Sequence, residues 1–496
     1  MFEAVELGNK ILKEEFAARE PEVRMKLLDV QQRLRTAPFS VVIIVSGVDG
    51  AGKSELVHRL NEWLDPRGID TFGFSTPSDE EVERPRFWRF WRVLPPNGRI
   101  AVLLGSWYTE PIVRRAYEEI EQPELDEELR RIEAFERMLA AGGTLILKFW
   151  LHVSAKSQKK RIVALEKDKR TRSLVTATDW RHHRLFETFK TISARSIRMT
   201  DGSHAPWILV EAEDDRYRDM TVTTTIANAI EERLSGPPAE TMAPVVTSPE
   251  HVAAVEGPQN ILDAIDVSVT IPRAEFVKKT KKVHARIADL TWRAYRNKIS
   301  SVLVFEGWDA AGKGGAIRHV TQAVDPRLFR VVPIAAPTQE ERAHHYLWRF
   351  WRHLPRAGMV TIFDRSWYGR VLVERVEGFA KPSEWSRSYA EINEFEEQMA
   401  SHGIVLVKLW LHISADEQLR RFKDREAITY KQYKITDEDW RNREKRPAYE
   451  EAVDEMVART STDIAPWTIV PANDKRAARH TVVRSFAKAL ARTLGG

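Results

Sequence analysis

The stretch that decides the fold is SVVIIVSGVDGAGKSE, residues 40–55, in which an apolar run leads directly into a glycine-rich turn. Gly47, Gly52, Lys53 and Ser54 match the pattern G-x-x-x-x-G-K-[ST] at every fixed position. In this pattern the glycines let backbone N–H groups face a phosphate, the lysine reaches the outer phosphate oxygens, and the following helix adds its positive end. The stretch therefore predicts a phosphate loop between a buried strand and a helix.

A second copy of this stretch begins 260 residues further along the chain, where Lys313 in GWDAAGKGG corresponds to Lys53. The same offset maps WRFWR 88–92 onto 348–352 and SWY 106–108 onto 366–368. It also maps KFWLHVSA onto KLWLHISA. A constant offset through both halves indicates a duplicated domain.

The repeat predicts an N-terminal domain, 1–234, and a C-terminal domain, 259–496, joined by a Pro-, Ala- and Val-rich linker, 235–258. Strand candidates alternate with helical segments in each half, which favours a parallel sheet covered by helices on both faces. We therefore predict an α/β fold of two tandem phosphate-loop domains. The strand candidates are 41–45, 99–105 and 143–153 in the first half, and 301–305, 359–365 and 403–413 in the second.

The composition excludes several classes of protein. The chain has 496 residues, no cysteine, and 77 basic against 72 acidic side chains. The absence of cysteine excludes disulfides and thiolate chemistry, and a net charge of +5 is too small to indicate nucleic-acid binding. No apolar stretch reaches the roughly 18 to 20 residues that span a bilayer, and the first residues lack the apolar core of a signal peptide. We expect a cytoplasmic enzyme that binds neither nucleic acid nor membranes.

The second copy also carries the acids that phosphoryl transfer requires. A divalent cation, usually Mg²⁺, is held there by a carboxylate at a strand end. The segment TIFDRSWYGR places Asp364 and then Arg365 at a predicted strand end, and Asp309 lies within the loop. Asp309 and Asp364 are therefore the predicted metal ligands, for Mg²⁺ or alternatively Mn²⁺. The other interpretation of Asp364 is a helix N-cap or a surface acid.

The first copy has lost several of these polar residues. Leu104 and Gly105 stand where the second copy has Asp364 and Arg365. Five further positions change in the same way: Arg370 to Glu110, Lys423 to Val163, Arg425 to Leu165, Lys431 to Thr171 and Lys434 to Leu174. We predict that the first domain keeps the fold and is inactive. Arg161, which matches Arg421, is retained, so some affinity for anions could survive there.

A basic segment, residues 417–446, follows the last long strand of the second copy. Arg421 and Arg425 lie one turn apart on a predicted helix, and Lys431 and Lys434 follow them. A cationic helical lid would neutralise a polyanion and exclude water, so that phosphate passes to an acceptor. The alternative interpretation is a solvated helix face. The WRFWR motifs, kept in both copies, favour a structural role or a role in domain association.

The second copy resembles the polyphosphate kinase 2 family in GWDAAGKGG, PTQEERAHHYLWRFWRHLP, FDRSWYGRVLVERVEG, EINEFE and YKITDEDWRNR. The resemblance covers both repeats and is most specific in the second. It implies thymidylate-kinase-like phosphate-loop domains that move phosphate between inorganic polyphosphate and nucleotides with Mg²⁺. The tandem arrangement is similar to that of members which phosphorylate AMP to ADP.

The resemblance also implies roles for individual residues. The catalytic set would be Asp309, Lys313, Asp364, Arg365, Arg421 and Arg425. The other phosphate-binding positions would be Gly307, Ala311, Gly312, Gly314, Gly315, Lys431 and Lys434.

Three alternative functions stay open at this point. They are a polyphosphate-dependent nucleoside-diphosphate kinase, an ATP-dependent nucleoside-monophosphate kinase, and a polyphosphate-binding regulator without catalysis. A homo-oligomer is also open, because the family resemblance suggests that the two repeats pack as single-domain relatives do in dimers.

Overall fold

The computed structural model describes residues 1–236, 260–428, 435 and 437–495. These residues form two compact units. The first unit contains residues 1–77, 89–236 and 339–345, and the second contains 78–88, 260–338 and the described residues from 346 onward.

The first unit is built on a parallel five-stranded sheet with the order β2-β3-β1-β4-β5. Its strands are β1 Val41–Gly47, β2 Ile69–Gly73, β3 Ile100–Leu104, β4 Leu145–His152 and β5 Trp207–Glu211. The apolar run of β1 lies in the centre, where Ile43 is in register with Val102 on one side and Leu147 on the other. Strands buried on both faces are typical of parallel sheets covered by helices, which explains why β1 is continuously apolar.

Helices surround this sheet and connect its strands. Those of residues 1–236 are α1 Lys13–Leu34, α2 Lys53–Trp63, α3 Asp79–Val82, α4 Trp88–Trp91, α5 Thr109–Ala116, α6 Gln122–Ala141, α7 Ala155–Lys167, α8 Ala177–Arg184, α9 Phe186–Thr200 and α10 Asp215–Ser235. Short 3₁₀ turns occur at Phe2–Val5, Pro66–Gly68 and Arg172–Leu174.

The second unit repeats this topology, with the sheet order β7-β8-β6-β9-β10. Its strands are β6 Ser301–Gly307, β7 Phe329–Pro333, β8 Val360–Asp364, β9 Val405–His412 and β10 Trp467–Pro471. The helices are α11 Arg273–Arg296, α12 Lys313–Thr321, α13 Gln339–Arg342, α14 Trp348–Trp351, α15 Val373–Val376, α16 Pro382–Ser401, α17 Ala415–Ala427, α18 Asp437–Glu444, α19 Arg446–Thr460 and α20 Lys475–Thr493, with a 3₁₀ turn at Trp367–Arg370.

The predicted α/β class is confirmed, and the six strand candidates coincide with β1, β3, β4, β6, β8 and β9. The strands β2, β5, β7 and β10 at the sheet edges were not predicted. Each is only five residues long and partly buried, and β2, β7 and β10 carry polar residues or proline among their apolar ones. In the parts of the chain that the structure describes, no helix has both the length and the apolarity needed to cross a bilayer.

The aromatic side chains of the second WRFWR motif are buried in the second unit. Phe350 and Trp351 of the second WRFWR motif are buried, and Phe350 contacts Trp367 edge to face at 5.7 Å. Trp351 lies 4.9 Å from Phe395 of α16. The aromatic side chains of the motif therefore have a structural role.

The SWY motifs and the lysines of β4 and β9 form the same buried network in both repeats. Lys148 pairs with Glu136 at 2.7 Å and donates to Thr200 O at 2.7 Å, while Tyr108 Oη donates to Glu136 at 2.8 Å. In the second repeat Lys408, Glu396, Tyr368 and Thr460 repeat these contacts at 2.7, 2.6 and 2.6 Å. Every member has a partner, as buried charges require.

Candidate active site

The phosphate loop of the second repeat connects β6 to α12. Gly307 ends β6 at a φ of 141°, and a Cβ at this position would lie 2.5 Å from Leu411 O. Gly312, at a φ of 107°, is the N-cap of α12. Both positions require glycine, because an L side chain would clash at the first and be strained at the second.

Lys313, the first residue of α12, reaches back over this loop. Its Nζ donates to Gly307 O at 2.7 Å and to Trp308 O at 3.2 Å. Burial lowers the pKa of Lys313, and the nearby Asp309 carboxylate opposes that change. The ammonium group is therefore held at the loop, where the oxygens of a bound phosphate could replace the carbonyl oxygens as its hydrogen-bond acceptors.

Asp309 is oriented by groups from three further elements. Its Oδ1 accepts from Arg365, beyond β8, at 3.3 Å, and its Oδ2 accepts from Asn442 of α18 at 3.0 Å. Its backbone carbonyl accepts from Gln418 of α17 at 3.2 Å. The loop carboxylate is thereby fixed beside Lys313.

Asp364 ends β8, and Arg365 follows it in the left-handed backbone region at a φ of 65°. Asp364 lies close enough to act on the pKa of Lys313 together with Asp309. Within the described residues no three His, Cys, Asp or Glu side chains cluster as a metal site. Two carboxylates nevertheless fit a hard cation, because Mg²⁺ in phosphate sites normally takes most of its other ligands from phosphate and water.

Glu306 is a buried acid of this site that the sequence analysis missed. It lies on β6 directly before Gly307, and its Oε1 accepts from Ser366 Oγ at 2.8 Å. Burial raises the pKa of Glu306, and the hydrogen bond from Ser366 with the charges of Lys313 and Arg365 only partly offsets this. An acid in an otherwise apolar strand was the signal that could have found it.

Asn442, Arg446 and Tyr449 were also missed. Arg446 lies over the ring of Trp308 at 4.3 Å, and Tyr449 Oη donates to Asn442 at 3.3 Å. All three line a cavity of about 80 Å³ together with Asp309, Lys313 and Arg365. The segment WRNREKR carries two of them, but its spacing alone does not indicate which side chains face the loop.

Arg421 differs from its prediction as a phosphate-contacting lid residue. It is 3% exposed, and Nη1 donates to Ala310 O and Ala311 O at 3.0 and 2.9 Å. Its Nη2 donates to Ala472 O and Asn473 O, and its Nε to Glu417. The five donors thus all face protein oxygens, and through them Arg421 holds the phosphate loop in place.

The retention of Arg161 in the first repeat follows from the same geometry. Its guanidinium donates to Gly50 O at 2.7 Å and to the carbonyls of Ala212 and Glu213 at 2.8 and 3.0 Å. An arginine that supports the loop through these hydrogen bonds is needed wherever the loop conformation is kept, whether or not the repeat is active.

The remaining predicted residues lie around the loop or outside the described residues. Arg425 of α17 lies 3.9 Å from Asp439 of α18 and so joins the two lid helices. A Cβ at Gly314 would meet no atom within 4 Å, and one at Gly315 would lie 3.2 Å from Arg479. Lys431 and Lys434 fall outside the residues that the structure describes.

The loop acid of the first repeat is engaged differently. Asp49 Oδ1 accepts from Lys53 at 3.0 Å, and Oδ2 lies 2.5 Å from Nδ1 of His182, the counterpart of Asn442. Burial alone would raise the pKa of Asp49, but Lys53 and His182 outweigh it and hold that pKa below its usual range. Leu104 and Gly105 offer no second acid and no guanidinium.

Comparisons with known proteins agree with this tandem arrangement. The family model for polyphosphate kinase 2 matches residues 10–236 and 271–494. The chain is 47% identical over 497 residues to the polyphosphate:AMP phosphotransferase of Pseudomonas aeruginosa, covering 99% of this chain and 98% of that protein. It is 37% identical over 484 residues to the protein of the same description from Acinetobacter johnsonii, covering 95% and 96%. A crystal structure described as a polyphosphate kinase 2 of Pseudomonas aeruginosa matches with a TM-score of 0.89 and 44% identity over 99% of both chains.

Proposed function

Because the chain belongs to the polyphosphate kinase 2 family, we propose that it transfers the terminal phosphate of inorganic polyphosphate to AMP, forming ADP, in the second repeat. The observation that carries this assignment is the grouping of Asp309, Lys313 and Arg365 around one phosphate loop, with Asp364 at the adjoining strand end. The full-length relatives described as polyphosphate:AMP phosphotransferases support the choice of donor and acceptor.

In the proposed reaction, an oxygen of the AMP phosphate forms a bond to the terminal phosphorus of the polyphosphate. The bond from that phosphorus to its bridging oxygen breaks, and the shortened chain leaves with the electron pair. The attacking oxygen is already ionised near neutral pH, so the reaction needs no strong base. Most of the acceleration therefore comes from positioning and from stabilisation of negative charge.

Each residue has a part in this scheme. Lys313 and Arg365 would neutralise charge on the transferred group, and Asn442 and Arg365 would keep Asp309 oriented. Asp309 and Asp364 would hold Mg²⁺, which when bound would neutralise phosphate charge and lower the repulsion between donor and acceptor. Arg421 would keep the loop in its binding conformation through its contacts with the loop carbonyls.

Asp364→Asn tests the assignment of the reacting centre. We expect kcat for AMP phosphorylation to fall by about 10²- to 10³-fold, because the amide removes a negative metal ligand without changing the size of the side chain. Asp325→Asn is the matched control in the same repeat, since Asp325 pairs with Arg327 on the surface. Unchanged turnover in Asp364→Asn would place the centre elsewhere.

The donor and acceptor are tested on the full chain. Polyphosphate and ATP are compared as donors with AMP as acceptor, and AMP and ADP are compared as acceptors with polyphosphate as donor. We expect polyphosphate with AMP to be the fastest pair. Turnover with ATP alone would support the nucleoside-monophosphate kinase, and a preference for ADP would support the nucleoside-diphosphate kinase. A cytoplasmic location, the absence of nucleic-acid binding and assembly of identical chains stay predictions.

A further inference from the structure

The first unit contains a cavity of about 310 Å³ beside its phosphate loop, against about 80 Å³ for the cavity at the second loop. It starts at the loop residues Gly47, Asp49 and Lys53 and extends between α5 and α9. The repeat that contains this cavity lacks the reacting groups, and the proposed reaction gives the cavity no role.

A single replacement accounts for part of the additional space. In the second repeat Trp308 contacts Trp410 at 5.5 Å, and its Nε1 donates to His412 Nδ1 at 3.0 Å. The first repeat has Val48 at the position of Trp308. The smaller side chain leaves the volume of an indole beside the loop and removes the donor for the corresponding histidine, His152.

Three side chains that line the cavity each have one polar atom without a hydrogen-bond partner. Trp150 Nε1, His152 Nδ1 and Ser193 Oγ are buried and make no hydrogen bond within the described part of the chain. Their residues are 7%, 0% and 1% exposed. Buried polar groups are almost always paired, so three such groups around one cavity point to a ligand with a polar edge.

The remaining wall is apolar and aromatic. Phe2 stacks on His152 at 4.7 Å with an interplanar angle of 8°, and Phe74, Phe186 and Phe189 also line the cavity. Aromatic side chains of this kind favour a flat ring that can stack. A ring with a polar edge is the chemistry of a nucleobase.

At its phosphate-loop end, the cavity has too little positive charge for a ligand with many phosphate groups. Among the described residues that line it, Lys53 and Lys190 are the only Lys or Arg side chains, and Asp49 offsets one positive charge. The guanidinium of the second loop is replaced by Gly105. A long polyanion would leave most of its charge uncompensated here, whereas one or two phosphates fit the loop and Lys53.

We propose that the first repeat binds a mononucleotide without reacting with it. The phosphate lies on the loop of residues 47–53, and the base occupies the cavity between α5 and α9. Leu104 and Gly105 line the cavity where the second repeat has Asp364 and Arg365, so the first repeat lacks the second carboxylate and the guanidinium that the proposed reaction uses. The first repeat is thus a second nucleotide site of the same chain.

The test is equilibrium dialysis of the full chain against labelled AMP and, separately, ADP, with Mg²⁺ and without polyphosphate. Val48→Trp fills the cavity with the side chain that the second repeat carries at this position. We expect this variant to bind one nucleotide per chain fewer than the parent chain. Lys53→Ala should weaken the same site at least tenfold, while Lys313→Ala should leave it unchanged. A parallel dialysis against inorganic phosphate shows whether the loop alone accounts for binding.

Equal stoichiometry and affinity in Val48→Trp and the parent chain would overturn the proposal, as would a first site that binds inorganic phosphate and no nucleotide. Thermal melting of each variant shows that it is folded. AMP phosphorylation is measured on the same samples, so the two ideas fail separately. A parent chain that turns over normally but binds no nucleotide at the first site rejects this inference, and a parent chain that binds nucleotide at the first site but does not turn over rejects the proposed reaction.

Discussion

Arg365 combines an unfavourable backbone conformation with a side chain at the proposed site. Its φ of 65° lies in the left-handed region, which costs a non-glycine residue about 1 kcal/mol or more. Its counterpart Gly105 adopts nearly the same conformation, at 74°, without that cost. The backbone turn after the strand is therefore common to both repeats, and only the second places a guanidinium on it.

Arg365→Gly should accordingly separate stability from activity. We expect the free energy of unfolding to stay constant or rise by up to about 1 kcal/mol, because the strain is relieved and the exposed pair with Asp309 contributes little. AMP phosphorylation should fall by at least 10²-fold. Lys298→Gly is the control, since Lys298 has a φ of 58° away from the site and should gain stability with full turnover. A loss of more than about 1 kcal/mol in Arg365→Gly would make the arginine structural.

Among single residues, the sequence pointed to those that a local motif defines. Asp309, Lys313 and the Asp364–Arg365 pair follow from a loop motif and a strand end. Glu306 and Asn442 were missed because their importance depends on which side chains meet across strands and helices. The burial of Arg421 was not predicted for the same reason, since a charged helix position gives no sign that the guanidinium will lie under the loop.

Among the elements, the central strands were predictable and the edge strands were not. The strands β1 and β6 are buried on both faces, so their apolar runs stand out, whereas β2 and β7 alternate between partly buried and exposed positions. The pairing of β9 with α16 through Lys408 and Glu396 was also not foreseen, because a lysine in an apolar strand has no local partner.

Glu396→Ala tests the importance of this pairing. We expect a loss of about 3–5 kcal/mol in the free energy of unfolding, because Lys408 would remain charged and unpaired in the core. The double variant Lys408→Met with Glu396→Leu should lose far less, since it removes both charges. Glu136→Ala provides the matched change in the first repeat and should lower the melting temperature of its unit similarly. Equal destabilisation in the single and double variants would show that packing, and not the unpaired charge, decides the effect.

For the molecule as a whole, one buried and one partly buried histidine predict sensitivity to acid. Burial lowers the pKa of His319 and of His412 from 6.5 to about 4. Between pH 6.5 and about 4 the unfolded chain binds protons that the folded chain does not. The contribution of these histidines to the free energy of unfolding is therefore fully present above pH 6.5 and decreases as the pH falls to about 4. Melting temperatures measured from pH 7.5 to 4 should decline in this window. His412→Gln should decline less steeply, and a parallel curve would exclude His412 as a contributor.

The duplication itself was fully visible in the sequence as a constant offset, and it predicted two domains of the same α/β fold. The sequence did not show which residues belong to each compact unit. Residues 78–88 belong to the second unit and 339–345 to the first, although each segment lies in the other half of the chain. Such an arrangement depends on contacts distant in sequence, which no periodicity or motif records.

This membership has a consequence for proteolysis. A protease that cuts between residues 236 and 260 would divide the chain in two, but neither fragment would contain all the residues of its own unit. Each fragment would therefore lack a segment of its own unit, and we expect it to be less stable alone than the same unit is in the full chain. The boundary between the repeats along the chain is thus not the boundary between the compact units.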